Sequence, residues 1–482
     1  MARISYGRVL TLLAEEDPNR PAYVCDGVSV SRLELECRAN RLARAYAELG
    51  VKRDRLVTLG LPNGIEFCTA CLAIWKLGAV PSPVSSRLPY AERAAIVERA
   101  DPALIVGVEA DEYEGRDTLP AGFEPDSSLS DEPLPDTVAP HERALSSGGS
   151  TGLPKLIIPK NPASCDREAP SHLFAARRAV LVPGPQYHAV PFSASFQGLF
   201  GGATVTIMSR FDASKCLELI ETHRIDRVHF VPTMMLRIWR LPESERLVRD
   251  VSSLEFVMTG GAPCPAWLMR AFIEWLGPDV MCEAFGPSER IGGTFITGRE
   301  WLEHPGSVGR SMGSKFRILD PESGRELPTG EMGEIYMLPP TGPGSTYRYV
   351  GAHGRITEDG WESVGDMGYL DADGYLYLGD RRSDMILSGG RNIYPAEVEA
   401  AIEAHPAVRS SAVIGLLDDD LGNRIHAIVE TATPVSDDEL RAHLETQLVS
   451  YKIPKSFERV RHALRDDAGK VRRSKLREER LP

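Results

Sequence analysis

Apolar positions recur at helical spacing on either side of two short extended runs over residues 6–49, which predicts helix, strands at 22–25 and 28–31, then helix. A strand follows at 55–61, a helix at 64–77 stopped by Gly78, a strand at 79–83, a helix at 89–99 and a strand at 103–108. Further units read as strand 203–208, helix 214–223, strand 227–231, helix 233–241, strand 256–259 and helix 266–276. Strands and helices in alternation predict a parallel or mixed sheet covered by helices. From 306 to 377 the pattern changes to short strands parted by Gly, Pro and Asp turns, predicting a small β-barrel-like part or a distorted sheet. After Asp380 comes an α+β unit: helix 395–404, strands 410–416 and 425–430, helix 436–448. The expected class is α/β, with a large N-terminal domain over 1–382 and a small mobile α+β domain over 383–482, a viable size for a domain. Polar stretches at 111–140 and 160–170 read as a solvated connection and a mobile loop.

Composition removes several classes of function. The 482 residues carry a net charge of −13, which disfavours nucleic acid as a partner, because neutralising phosphates needs a basic surface. No uninterrupted apolar run reaches the length of a membrane span, and the first residues lack the apolar stretch of a secretory signal. Eight scattered cysteines read as reduced thiols, which points to the cytoplasm. Cys68 and Cys71 have CxxC spacing, but they fall in an apolar helical pattern and read as buried small residues.

The stretch with the clearest chemistry is Ser146-Ser147-Gly148-Gly149-Ser150-Thr151-Gly152-Leu153-Pro154-Lys155. Its glycines let the backbone approach a ligand closely, successive N–H groups can curl round an anion, and hydroxyls and Lys155 add donors and charge. The pattern is not GxxxxGK[ST]. It resembles the signature loop of the acyl-adenylate-forming enzymes, which include acyl-CoA synthetases, luciferases and peptide-synthetase adenylation domains. Gly148 stands where Ser is commoner, and Leu156 where Gly usually follows the lysine.

Further segments resemble that family in its own order. Tyr187-His188 with Pro191-Phe192 resembles the segment closing the acyl pocket, which implies His188, Phe192, Ser193, Phe196 and Gly260 as pocket residues. Gly260-Gly261-Ala262-Pro263 resembles the segment along one face of adenine. Phe285-Gly286-Pro287-Ser288-Glu289 resembles the one placing an aromatic ring on the other face, Ser288 at a phosphate and Glu289 at Mg2+. Gly365-Asp366 resembles the ribose-binding pair. Asp380-Arg381-Arg382-Ser383 resembles the hinge, with Arg381 near ribose or α-phosphate and Ser383 as pivot. Gly389 and Gly390 resemble the glycines along which the pantetheine arm of coenzyme A passes. Gly469-Lys470 resembles the pair carrying the adenylation lysine.

The resemblance implies an AMP-forming ligase using ATP, Mg2+ and coenzyme A, with Lys470, Glu289, His188 and Lys155 as its catalytic set. A carboxylic acid becomes acyl-AMP and then a CoA thioester, by positioning and charge stabilisation. Phe residues mixed with small ones over 191–202 resemble relatives acting on bulky acids of steroid or terpenoid type. Asp466 and Asp467 beside Lys470 are expected to oppose an incoming triphosphate, so a second reading has the enzyme mainly converting a supplied acyl-AMP from a companion adenylating enzyme. Two further readings fit the same motifs, an adenylation enzyme that loads a carrier protein and an inactive nucleotide-binding regulator, and a homodimer is admitted.

Overall fold

The computed structural model describes residues 3–109, 112–148, 154–168, 173, 178–466 and 469–480. Its centre is a mixed sheet of fifteen strands. In its middle, Pro21–Cys25, Thr204–Ile207, Ala179–Val182, Arg227–Phe230, Phe256–Gly260 and Met281–Phe285 run parallel in that spatial order. Parallel neighbours need crossovers, and the helices Ala189–Phe200, Ala213–Thr222, Pro232–Trp239 and Ala266–Leu276 supply them. A smaller parallel sheet holds Val80–Pro83, Leu56–Leu59, Leu104–Val106 and Thr118–Leu119 in that order.

The texture change after residue 306 has a simple structural expression. Thr294–Thr297 pairs antiparallel with Met281–Phe285, and Ser307–Ser311, Leu376–Arg381, Asp366–Leu370 and Gly333–Leu338 continue outward antiparallel. Of the two expected forms, the barrel-like one is replaced by the distorted sheet, an open extension of the large sheet with no closed barrel among the described strands. Short strands and turns encode local bends but not closure, which depends on whether the end strands meet.

Two cores flank the main sheet. One buries Tyr6, Trp75, Phe192, Phe196 and Phe200 among the N-terminal helices. The other packs Leu217, Met235, Phe272 and Trp301 on the opposite side. Cys68 and Cys71 are buried on the helix Ile65–Lys76, as the apolar pattern predicts. The last hundred residues form a separate three-stranded sheet, Val408–Asp418, Gly422–Thr431 and Ser456–Val460, with helices Pro395–Glu403 and Asp437–Glu445 closing a core of their own. No helix among the described residues is long and apolar enough to cross a membrane.

Candidate active site

Ligands of open α/β sheets gather beyond the carboxyl ends of the parallel strands, and His188, Gly260–Pro263 and Phe285–Glu289 stand at or just after such ends. Ala179–Val182 runs out into Pro183-Gly184-Pro185, a segment held by Asn63, whose amide donates to Gly184 O at 3.0 Å and Met208 O at 3.2 Å. Asn63 Oδ1 accepts from the Gln186 N–H at 2.8 Å, and Gln186 Oε1 from the Gly64 N–H at 2.8 Å. His188 then caps the helix Ala189–Phe200. Its Nε2 is buried with no hydrogen-bond partner among the described residues. Burial, helped by the nearby Lys470 charge, pushes its imidazole down to about 3.

The next strand ends bring the adenine-type segments together. A Cβ on Gly260 would lie 2.4 Å from Ala284 O, so only glycine lets Phe256–Gly260 and Met281–Phe285 approach this closely. Gly261 follows at φ 82°, and Gly261 and Pro263 are exposed with Ala262 partly covered. Phe285 and Gly286 lead into a turn that carries Ser288 and Glu289 and is closed by the Arg290 N–H donating to Pro287 O at 3.0 Å. The Glu289 carboxylate is buried, accepting from Lys155 Nζ at 3.5 Å and from the Tyr349 hydroxyl. Lys155 also lies 3.9 Å above the Tyr349 ring.

Lys155 belongs to Pro154–Pro159, which pairs antiparallel with Leu145–Gly148 on one side and Tyr347–Val350 on the other. Ser147 and Gly148 have strand backbone, but their side chains, and Gly149, Ser150, Thr151 and Gly152 entirely, lie outside the described residues. The hairpin register, with Ser147 opposite Lys155, puts the two arms of the signature loop side by side.

Asp366 and Arg381 are register partners on adjacent strands, and Arg381 Nε donates to Asp366 Oδ1 at 3.2 Å. Burial raises the Asp366 carboxyl, and the Arg381 charge opposes that rise. Ser383 is exposed and donates to Asp384. Gly389 and Gly390, at φ 55° and 74°, form the turn between Ile386–Ser388 and Arg391–Ile393. That hairpin is tied to the C-terminal sheet by the Gly389 N–H to Leu421 O at 2.9 Å and by Asn423 Nδ2 to Leu387 O at 3.1 Å.

The C-terminal loop reaches the same strand ends. A Cβ on Gly469 would lie 2.4 Å from Thr233 Oγ1, so a glycine is required for this approach. Lys470 is exposed along part of its length, its charge acts on His188, and those of Arg381, Glu289 and Asp366 act on it. Burial in the cleft and Arg381 lower its affinity for the proton, and Asp466 acts the other way. Asp466 also has a structural part beside its charge. Asp466 Oδ1 accepts from the Lys470 N–H at 2.9 Å, and the Asp466 N–H donates to Lys470 O at 3.0 Å, so the carboxylate braces the loop. Asp467 lies outside the described residues.

Phe192, Ser193 and Phe196, expected at a substrate pocket, have close protein partners. The two rings pack edge-on against Trp75, with centroids 5.8 and 4.6 Å away, and Ser193 Oγ accepts from the buried Arg143 at 3.0 Å. The same helix turns Ala194 toward the sheet, where Ala194, Val180, Arg227, His229, Phe256 and Met258 border a small cavity. The i, i+4 spacing of Phe192, Phe196 and Phe200 marks a core face, and the small residues on the opposite side are the sequence signal for the cavity. Tyr349 is a site residue that the sequence does not single out: nothing local announces its contact with Glu289.

Two family patterns match the chain: AMP-binding enzyme over residues 11–347, and AMP-binding enzyme C-terminal domain over 397–470. The chain is 33% identical to feruloyl-CoA synthase of Amycolatopsis sp, with 96% of each chain covered. It is 30% identical to 2-succinylbenzoate–CoA ligase of Bacillus licheniformis, over 96% of this chain and 98% of that one. Its fold is similar to o-succinylbenzoate CoA synthetase from Bacillus subtilis in complex with the acyl-adenylate intermediate, with TM-score 0.82, 26% identity and 99% and 98% of the two chains covered. With both patterns matched in order, the first over well more than half of its length, the chain belongs to the AMP-binding enzyme family.

Proposed function

We propose that the chain is an acid–thiol ligase that joins a carboxylic acid to coenzyme A through acyl-AMP. The observation carrying this reading is that Lys470, from the C-terminal loop, is in electrostatic range of His188, Glu289, Asp366 and Arg381. An inactive nucleotide-binding relative has no need to bring that lysine there.

In the first half-reaction an oxygen of the acid bonds to the α-phosphorus of ATP as the bond to pyrophosphate breaks. Lys470 sits to balance charge on the carboxylate and α-phosphate, and Lys155 with the Ser147–Gly152 stretch to hold the polyphosphate. Phe285 and Gly261-Ala262-Pro263 take the adenine, Asp366 the ribose hydroxyls with Arg381 beside it, and Ser288 a phosphate. Neutral His188, its Nε2 unpartnered among the described residues, faces the acid. In the second half the thiol sulfur bonds to the acyl carbon as the bond to AMP breaks and the thiol proton is lost, with Gly389 and Gly390 admitting the pantetheine arm. The division at Ser383, and movement of residues 383–482 about it, belong to the same proposal.

The residues suit Mg2+. No group of three His, Cys, Asp or Glu side chains is placed to hold a metal among the described residues, but Mg2+ commonly uses one or two carboxylates with substrate phosphates. Glu289 is the buried carboxylate beside the signature loop. When bound, the ion would offset phosphate charge.

The acid is proposed to be bulky and largely apolar, of polycyclic or aromatic type. Relatives named for ferulate and succinylbenzoate support the aromatic members. The test is incubation with polycyclic and aromatic acids, ATP, Mg2+ and coenzyme A, following pyrophosphate, acyl-AMP and acyl-CoA. Production of all three with at least one acid is expected; nucleotide binding without any acid-dependent pyrophosphate would overturn the proposal.

A further inference from the structure

Glu142 and Arg143 immediately precede the hairpin of the signature loop, and both are buried. The Glu142 carboxylate accepts from Arg290 Nη2 at 3.2 and 3.0 Å and from Arg143 Nη1 at 2.6 Å. Arg143 goes on to Ser193 Oγ and lies 5.1 Å over the Phe192 ring. The Glu142 main chain is fixed as well. Its N–H donates to Asn161 O at 3.0 Å, across the base of the hairpin, and its carbonyl accepts from Trp75 Nε1 at 2.9 Å. Arg290 follows Glu289 directly and holds a left-handed backbone at φ 58°, uncommon for a residue with a side chain.

With Glu142 and Arg143 buried and Arg290 only partly covered, the cluster is an inefficient source of stability, because desolvation of the buried pair offsets much of the attraction. Its distinctive property is direction. It ties three segments that all serve the site: the signature hairpin, the Glu289 turn, and the helix that begins after His188.

We propose that Glu142 and Arg290 are positioning residues for Mg-ATP, fixing the Glu289 carboxylate against the phosphate hairpin. The assignment rests on the ligase reading above. Glu289 is reached through its neighbour: the ion pair holds Arg290 in its left-handed conformation, and that conformation sets where the preceding side chain points. Loss of the pair frees the turn, whereas Gly261–Pro263, Asp366 and Arg381 lie on other segments. Groups that orient a metal-binding carboxylate commonly matter by about 10- to 100-fold in affinity.

The test compares wild type, Arg290→Met, Arg290→Lys and Glu142→Gln by calorimetric titration with Mg-ATP and, separately, with AMP in Mg2+-free buffer, after thermal melting confirms folding. Arg290→Met is expected to weaken Mg-ATP binding by about tenfold or more while AMP binding holds, and Arg290→Lys to recover part of the loss. If Glu142→Gln or Arg290→Met does not fold, Arg290→Lys carries the same comparison with a smaller ratio. Equal weakening of both ligands, or no weakening of either, would overturn the assignment alone. A wild type that binds neither ligand would overturn the ligase reading itself.

Discussion

Lys155 Nζ lies 3.5 Å from Glu289 Oε1 and 3.9 Å above the ring of Tyr349, whose hydroxyl donates to the same carboxylate oxygen. The three residues come from three segments far apart in the chain. The carboxylate is thereby held by an ammonium and a phenol before any phosphate arrives. Pre-positioned charge of this kind costs little reorganisation during reaction.

Tyr349→Phe keeps the ring under Lys155 and removes only the hydroxyl. A hydrogen bond to a charged group contributes roughly 1.5–3 kcal/mol, so the KM for Mg-ATP is expected to rise about tenfold with little change in melting temperature. Steady-state pyrophosphate release checks this, and an unchanged KM would remove Tyr349 from the site.

Lys470→Ala separates the half-reactions. Pyrophosphate release from acid and ATP is expected to fall by about 100-fold or more, while thioester formation from supplied acyl-AMP stays near wild type. Equal loss in both assays would mean that Lys470 supports folding of the loop rather than adenylation.

Much of the site is legible in the chain because the chemistry is written in contiguous motifs. Gly260–Pro263 follows the strand that the apolar pattern predicts over 256–259, whereas Phe285–Glu289, Asp366 and Lys470 stand out by motif alone, with no predicted strand before them. Contacts between distant segments are not legible. Tyr349 meets Glu289, and Glu142 meets Arg290, only through sheet pairing and turn geometry, for which no local residue pattern exists. Helical spacing identifies a Phe192 and Phe196 face, but not whether that face looks at a ligand or at Trp75. In sequence the aspartate four residues before Lys470 reads as a charge, and only the fold shows that it also accepts from the Lys470 amide.

His188 is expected to stay neutral through the working range. Its imidazole titrates near 3 in the fold, below the ordinary 6.5. The unfolded chain therefore takes up the proton first, and this group's contribution to stability is present above pH 6.5 and lost as pH falls toward 3. Imidazole NMR of a His188-assigned sample checks the point: no titration between pH 8 and about 5 is expected. A midpoint near the ordinary value would mean that the ring is solvated.

Glu283 gives an opposite pH signature. Burial raises its carboxyl from 4.5 to about 8. The folded state keeps the proton that the unfolded chain releases, so stability from this group is full below pH 4.5 and is lost as pH rises through 8. Glu283→Gln removes the penalty. A gain of roughly 5 kcal/mol is expected above pH 8 and little below 5, measured by denaturant titration at the two pH values. A pH-independent effect would contradict a buried, protonated carboxyl.

The order of bond formation is the core of the proposal: the acid itself attacks the α-phosphorus of ATP before coenzyme A attacks the acyl group. An acid that turns over, labelled with 18O in its carboxylate, reads this out when AMP is analysed by mass spectrometry after one round of thioester formation. One 18O atom is expected in the phosphate of each AMP, left there when the thiol displaces it. Unlabelled AMP, or the appearance of ADP in its place, would contradict that order.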